Sequence, residues 1–279
     1  MLQSEFQNEK FHASEVLQAL ADRGPRIGEP FLQAFRLQHG PPGLLGRFFI
    51  SADTRLKERG LTLRFVTFET LVDLHERNAE KWGFFNPMFD PRCSVIPPGA
   101  MCLAGFDTAG EIRVCICGKP FDARRRSFSE IVDCGGLFAL KPGPHTPNLG
   151  TRIDAPVARE LRGLVAYCAS IWVHPDRRGD RLASIFVNLM NACMLTLWNP
   201  DYVIGFVPVA TRGTGLHQRY NFPHASPALH VTRDGKPAFD QILIWQDASE
   251  ALDGVARYLD VIWPQIDAAV ISGNRQQHA

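Results

Sequence analysis

The chain has 279 residues, 45% hydrophobic and 21% charged, which is ordinary for a globular protein that buries a full core. The chain has 30 basic and 29 acidic residues and a formal net charge of +1. This net charge gives no electrostatic support for nucleic acid or an anionic membrane as the main partner. We find no signal-peptide pattern and no run of about 18 apolar residues, so the sequence predicts no membrane span.

The cysteine pattern favours a reducing compartment. The seven cysteines are an odd number, several of them lie in apolar patterns, and they are predicted to be reduced core residues of a cytoplasmic protein. The pair Cys115-Ile-Cys117 lacks the spacing and the second pair of a zinc site, so no metal is expected.

Residues 1–60 are predicted to form a helical N-terminal extension. Ser14 is a candidate N-cap for a first helix, Pro30 can start a second that Gly40 ends, and 44–59 suits a third. We interpret the extension as a cover for the main domain or a dimer contact. A substrate-selecting lid is the alternative, and no particular residue supports it.

From Leu61 the pattern changes to alternation, which predicts a strand over 61–67 and then a helix beginning near Thr67. Two apolar runs, 101–106 and 112–117, are joined by a short polar segment and predict a hairpin.

Residues 119–160 predict an irregular stretch, either functional or a disordered insertion, because 141–150 is rich in proline and glycine. The three arginines at 124–126 are typical of a solvated loop. A contact to a phosphate or to an acidic acceptor is the alternative, since guanidinium groups suit both anions.

The most informative stretch is a predicted strand, tight turn and helix. Residues 165–173 are branched or aromatic without charge, Pro175 ends the strand, and apolar residues recur at helical spacing from Leu182 until Asn199 and Pro200 close the helix. A helix that opens directly after a strand presents free amides and a positive dipole end, which suits a phosphate or pyrophosphate.

The remaining elements follow in order. Residues 202–209 predict a buried parallel strand beside the first, and 216–220 predict a short helix. Residues 229–232 and 238–245 predict a terminal hairpin, and apolar spacing over 252–262 predicts a closing helix.

The central turn resembles motif A of the GNAT superfamily, the acyl-CoA-dependent N-acyltransferases. The family pattern is Val-x-Pro followed by Arg/Gln-x-x-Gly-x-Gly/Ala. This chain has Val173-x-Pro175, with Arg178 in the first and Ala183 in the last position, but Arg181 stands where the second glycine is usual. A side chain at that close-approach position must point away from the phosphates.

A second stretch is similar to the end of the family's motif B, which reads Leu-Tyr-x-x-x-Gly-Phe. Leu216 and Phe222 match, His217 occupies the position where many members carry a tyrosine acid, and Asn221 replaces the glycine. Tyr220 is three residues further on and is the other candidate acid. The alternatives are an exposed helix histidine and a core tyrosine with a satisfied hydroxyl.

The resemblance covers about residues 61–246 and implies an α/β fold: a GNAT-like mixed, partly splayed central sheet flanked by helices, with 1–60 as a helical extension and 247–279 as a C-terminal helix and tail. It implies that the pantetheine arm of CoA pairs with the strand at Ile171, Trp172 and Val173. It implies a pyrophosphate site in the following turn, formed by Arg178, Gly179, Asp180, Arg181, Leu182 and Ala183.

The implied function is an N-acyltransferase that moves an acetyl or longer acyl group from acetyl-CoA or another acyl-CoA to a small-molecule or peptidyl amine, with Tyr220 or His217 as acid. His174 or a water chain is a guess for the base. Two alternatives stay open: an acyl-carrier-protein-dependent synthase of N-acyl amino acids or acyl-homoserine lactones, and a non-catalytic CoA-binding module. A homodimer is a further possibility.

Overall fold

The structure is a computed structural model that describes residues 15–262, and the surroundings of side chains up to residue 260. The strands are β1 (Thr62–Val66), β2 (Met101–Phe106), β3 (Ile112–Ala123), β4 (Leu149–Ile153), β5 (Gly163–Val173), β6 (Tyr202–Pro208), β7 (His224–Arg233) and β8 (Lys236–Asp247). The helices are α1 (Glu15–Asp22), α2 (Phe31–Ala34), α3 (Pro42–Glu58), α4 (Phe68–Arg77), α5 (Ala79–Trp82), α6 (Phe128–Asp133), α7 (Leu182–Trp198), α8 (Leu216–Arg219) and α9 (Ala248–Ile262).

All eight strands belong to one sheet in the order β1-β2-β3-β5-β6-β8-β7-β4. Among the strands of residues 15–262, only the central pair β5 and β6 is parallel, and α7 connects its two strands. The predicted mixed α/β class is therefore confirmed. The predicted strands, helices and hairpins occur in the predicted order, and α5, α6 and β4 are additional elements that the sequence did not predict.

The sheet separates two hydrophobic cores. The α7-side core packs α7, α3 and α9 against one face of the sheet, and the α4-side core packs α4, α6 and the loops around them against the other. Successive strand residues point to opposite faces, so β5 supplies Ala166 and Cys168 to the α7-side core and Val165 and Tyr167 to the α4-side core.

Helix α7 is buried along nearly its whole length because strands and helices surround it. At Gly118 of β3 the helix lies directly on the sheet: a Cβ there would stand 2.9 Å from the Met190 sulfur and 3.1 Å from the Trp198 ring. Glycine is required for this close approach. At the other end, Asn199 adopts the left-handed conformation of a C-cap at φ 50°.

The helices before β1 are part of the α7-side core. Phe31, Phe48 and Leu56 are almost completely buried in the same cluster as α7. The predicted second helix is shorter than expected and ends at Ala34, because Phe35 is extended and turns its ring into an aromatic cluster with Phe31, Phe49 and Phe65. The predicted N-cap Ser14 lies outside the described residues.

The prediction of an irregular stretch over 119–160 is wrong in part. Strand β3 continues to Ala123, Ser127 and Glu130 form a capping box at the start of α6, and β4 pairs with β7. Pro120 argued against a strand in the sequence because proline has no N–H to donate. It is tolerated because β2 ends opposite Gly118 and leaves one edge of β3 without a neighbour at Pro120. Arg124 forms an ion pair with Asp122 at 2.6 Å.

Among residues 15–262, no helix combines the length and the apolar composition that crossing a bilayer requires. All seven cysteines are free, and all but Cys134 are buried.

The packing predicts unequal costs of truncation within α3. Leu56→Ala removes a side chain that is 0% exposed, so we expect a loss of about 2–5 kcal/mol in the free energy of unfolding. Ile50→Ala is the matched control on the same helix, since Ile50 is 56% exposed, and its effect should stay within about 0.5 kcal/mol. Urea denaturation measures both, and equal small effects would show that α3 is not part of the core.

Candidate functional site

Strands β5 and β6 separate part-way along their length. They pair from Val165 with Tyr202 to Cys168 with Gly205, and then pairing stops although β5 continues to Val173 and β6 to Pro208. Strand β6 stays on β8 as far as Pro208. The predicted splay of the central sheet is confirmed, and it leaves one edge of 169–173 without a strand partner.

A β-bulge lies where the two strands part. Ala169 pairs with Cys117 of β3 and Trp172 with Cys115, so Ser170 and Ile171 stand opposite the single residue Ile116. Ser170 has φ 53°, which is left-handed and strained for a serine.

The bulge changes which face each later residue of β5 occupies. Before it, Ala166 and Cys168 contribute to the α7-side core; after it, Ile171 and Val173 pack there. Trp172 consequently joins Tyr167 in the α4-side core. Because of the extra residue, the side chain of Trp172 lies on the face of the sheet opposite α7.

The turn after β5 places unpaired amides at the start of α7. The first amide of the helix to find a partner is that of Ile185, which donates to the Arg181 carbonyl at 3.3 Å. In the described part of the chain, the amides of Leu182, Ala183 and Ser184 have no acceptor. Free amides at the positive end of a helix favour a bound anion, and here three of them open a 17-residue helix and form the candidate anion site.

Arg181 adopts the conformation that explains the family's glycine at its position. Its φ is 56° and its ψ is 21°, a left-handed region where glycine carries no steric cost. The side chain is exposed. Burial raises the pKa of Tyr258 in α9 to about 12, and the charges of Arg59 and Arg181 oppose that rise. Arg178 is exposed, and in the described part of the chain it has no ion-pair partner.

The end of α3 fixes this turn. Arg59 donates from Nη1 to the Asp180 carbonyl at 2.5 Å, and Arg177 donates from Nη2 to the Arg59 carbonyl at 3.0 Å. Arg177 also donates from Nε to the Asp180 carboxylate at 2.8 Å. Asp180 is therefore neutralised by a neighbour, and the turn is tied to a helix far away in the sequence.

Tyr220 and His217, the two candidate acids, have different surroundings. Tyr220 is half-buried against the α7-side core, and its pKa is raised by burial and, to a smaller extent, by the nearby Cys168 thiol, the last β5 residue paired with β6. No described residue offers a hydrogen-bond partner to the side chain of His217, whose carbonyl accepts from the amides of Tyr220 and Phe222 at 3.1 and 2.9 Å. Of the two candidates, Tyr220 is the one that packs against the α7-side core, which also contains Cys168.

Asn221 stands where the family pattern has glycine, and its geometry accounts for that. Its φ is 60°, which asparagine tolerates better than most residues. The side-chain amide donates to the Asn188 side chain at 2.7 Å and to the Gly254 carbonyl at 3.3 Å, which ties the end of α8 to α7 and α9.

His174 is poorly arranged as a base. Its Nδ1 accepts from the Asp176 amide at 3.3 Å, which leaves the proton of the neutral ring on Nε2. Burial lowers the pKa of the His174 ring, and the charge of the nearby Asp176 acts in the opposite direction.

The sequence reasoning missed two groups on the other face of the sheet. Trp82 stacks on Trp172, and Lys119 lies 2% exposed opposite Tyr167. Lys119 donates from Nζ to the Leu137 carbonyl at 2.9 Å and lies 5.0 Å from the Phe121 ring centre. The signal was present, because Lys119 continues the alternation of Cys115, Cys117 and Phe121.

Residues 15–262 contain no group of three or more His, Cys, Asp or Glu side chains arranged to hold a metal ion. The predicted pyrophosphate residues, Arg178 to Ala183, form one continuous turn, and Ile171, Trp172 and Val173 lie on the unpaired part of the strand that leads into it.

Known proteins resemble the chain only in structure. No protein-family model matches the sequence, and no curated protein matches it. The Arabidopsis thaliana NAA60 structure in complex with a bisubstrate analogue is 16% identical, with a TM-score of 0.39, over 67% of this chain and 98% of that one. The NAA60 structure with acetyl-CoA is 12% identical with a TM-score of 0.41, over 67% and 98%. A mutant of Vibrio cholerae spermidine N-acetyltransferase SpeG is 12% identical with a TM-score of 0.39, over 70% and 97%. Similarities of this size do not fix a substrate or a reaction for the chain.

Burial of Lys119 predicts a pH dependence of stability. Burial lowers its folded pKa from 10.5 to about 7, so between those values the unfolded chain binds a proton that the folded chain does not. Stability should therefore rise with pH across that window, by up to about 1.4 kcal/mol per pH unit, and Lys119→Met should remove this contribution.

Urea denaturation between pH 7 and pH 9 measures the two slopes. Lys57→Met is the control, because Lys57 is an exposed lysine paired with Asp53, and it should keep the wild-type slope. Identical slopes for the wild type and Lys119→Met would contradict the burial of a neutral amine.

Proposed function

We propose that the protein is an N-acyltransferase that moves an acetyl or longer acyl group from CoA to a primary amine. One observation carries the proposal: a strand that has lost its parallel partner leads through a braced turn into three unpaired helix amides. A thioester cofactor with a peptide-like arm and a diphosphate needs both features side by side.

In this proposal the CoA diphosphate binds the amides of Leu182, Ala183 and Ser184, with Arg178 as a nearby cation. The pantetheine arm runs along Ile171, Trp172 and Val173 and forms hydrogen bonds with the open edge of β5, as an added strand would. The thioester then lies near Cys168, where β5 and β6 part.

The proposed reaction is direct attack. The neutral amine nitrogen forms a bond to the thioester carbon, the C–S bond breaks, and Tyr220 donates its hydroxyl proton to the departing thiolate. The amine releases a proton as the amide forms, which restores the Tyr220 hydroxyl through solvent. Burial raises the pKa of Tyr220, which keeps its hydroxyl protonated before the reaction and therefore available as a donor.

We further propose that residues 61–246 form the catalytic region, with 1–60 and 247–279 as flanking segments. The brace from Arg59 to Asp180 supports a role for the first segment in holding the anion site. A carrier-protein donor and a homodimer stay predictions from the sequence, and a non-catalytic CoA-binding module is an outcome of the tests below.

The anion site predicts opposite effects of one acid on stability and on binding. Ala183→Asp places a carboxylate in the first turn of α7, where it favours the helix but competes with the diphosphate for the amides. We expect the unliganded melting temperature to be maintained and the dissociation constant of CoA to rise about tenfold or more. Isothermal titration and thermal shift measure the two quantities.

Ala183→Asn is the matched control, since it has the same shape as the acid without its charge, and it should weaken CoA binding much less. Wild-type protein should be stabilised by about 2.7 kcal/mol when CoA is present at 100 times its dissociation constant. If CoA does not stabilise the wild type at all, the proposed function is wrong.

The position of Tyr220 predicts a loss of rate without a loss of binding. Tyr220→Phe should lower kcat for thiol release by about 100-fold, while His217→Gln should change it little, because an acid catalyst is worth about 100-fold or more. CoA binding should be unchanged in both variants. Equal activity of Tyr220→Phe and wild type would remove Tyr220 from the mechanism. If the wild type and Tyr220→Phe both bind CoA but neither releases thiol, the non-catalytic module is favoured.

A further inference from the structure

Trp172 has a polar group that the fold does not satisfy. Its side chain is 5% exposed, and Nε1 has no hydrogen-bond partner among the described residues. The indole N–H is a donor only, and burying a donor without an acceptor destabilises the folded state. Such a group in a folded protein calls for an explanation, and an oxygen supplied by a ligand is one.

The orphan N–H lies on the open part of β5. Trp172 is beyond Cys168, the last residue paired with β6, and on the face of the sheet opposite α7. In the proposed reaction the CoA diphosphate binds at the α7 end of this gap. An amine that attacks the thioester from the opposite face approaches past Trp172.

The segment that packs on the ring face of Trp172 is short and largely exposed. The ring of Trp82 stacks on Trp172 with centroids 4.6 Å apart and an interplanar angle of 9°. Trp82 belongs to α5, a four-residue helix with no buried residue. It is followed by Gly83 at φ 76° and ψ −128°, a conformation that only glycine adopts readily.

Two further rings lie near Trp82. Trp82 lies 5.5 Å from the ring of His75 and 6.0 Å from that of Phe85. The other ring neighbour of Trp172 is His174, in an edge arrangement at 5.7 Å.

We propose that Trp172 Nε1–H binds a carbonyl or carboxylate oxygen of the amine acceptor. The proposal rests on the proposed function and names its substrate class: amines with an oxygen acceptor close to the reacting nitrogen, as in amino acids, amino amides and peptide N-termini. Polyamines carry only donors in their protonated state and leave the indole N–H unsatisfied.

The test compares amines that differ in the carbonyl group. Acetyl-CoA thiol release is measured with alaninamide against isopropylamine and with phenylalaninamide against phenethylamine. Wild type should prefer the carbonyl member of at least one pair, and Trp172→Phe should reduce that preference in kcat/KM about tenfold, as expected for the loss of one hydrogen bond to a buried group.

Trp198→Phe is the matched control. Trp198 is 2% exposed and its Nε1 is also without a partner among the described residues, but it lies on α7 in the opposite core. This variant should keep the wild-type preference. If Trp172→Phe keeps it too, or if CoA binds the wild type and no carbonyl-bearing amine is acylated, the proposal is wrong. Failure of CoA to bind is a separate result, which concerns the proposed function and not the role of Trp172.

Discussion

The separation of β5 from β6 is the constraint on which the rest of the site depends. Two parallel strands that paired along their full length would leave no open backbone edge between them and no approach to the start of α7. The extra residue at Ser170 supplies the change, since it bends β5 and reverses the faces of the residues that follow. A left-handed serine costs about 1–3 kcal/mol, and strain of this kind concentrates at functional sites.

The candidate anion site depends on residues that lie outside the sequence motif. Arg59 at the end of α3 fixes the Asp180 carbonyl, Arg177 closes the link in the other direction, and α3 is buried in the core that α7 shares. The helices before β1 therefore support the turn through which any diphosphate would be held. Arg181 occupies a glycine position in the left-handed backbone conformation, with its side chain exposed.

The sequence predicted those elements whose residues have one dominant period or a clear stop signal. Helix α7 begins at Leu182 and ends before Asn199 as expected, and the central strands were found from their branched, uncharged residues. The second half of β3 was missed because a lysine and a proline, Lys119 and Pro120, are unusual in a strand. These residues pair with β5. Long-range pairing decided these positions. The orphan N–H of Trp172 and its stack with Trp82 depend on a bulge and on a distant helix, and no local pattern encodes either.

The most direct test of the account is amide hydrogen exchange on the wild-type protein with and without CoA. Exchange reports the opening of individual backbone hydrogen bonds, and a bound ligand protects the amides that it uses. The account predicts that CoA slows exchange in two peptides, 169–173 on the open edge of β5 and 179–185 at the start of α7. Protection confined to other segments, or none at a CoA concentration that saturates binding, would contradict it.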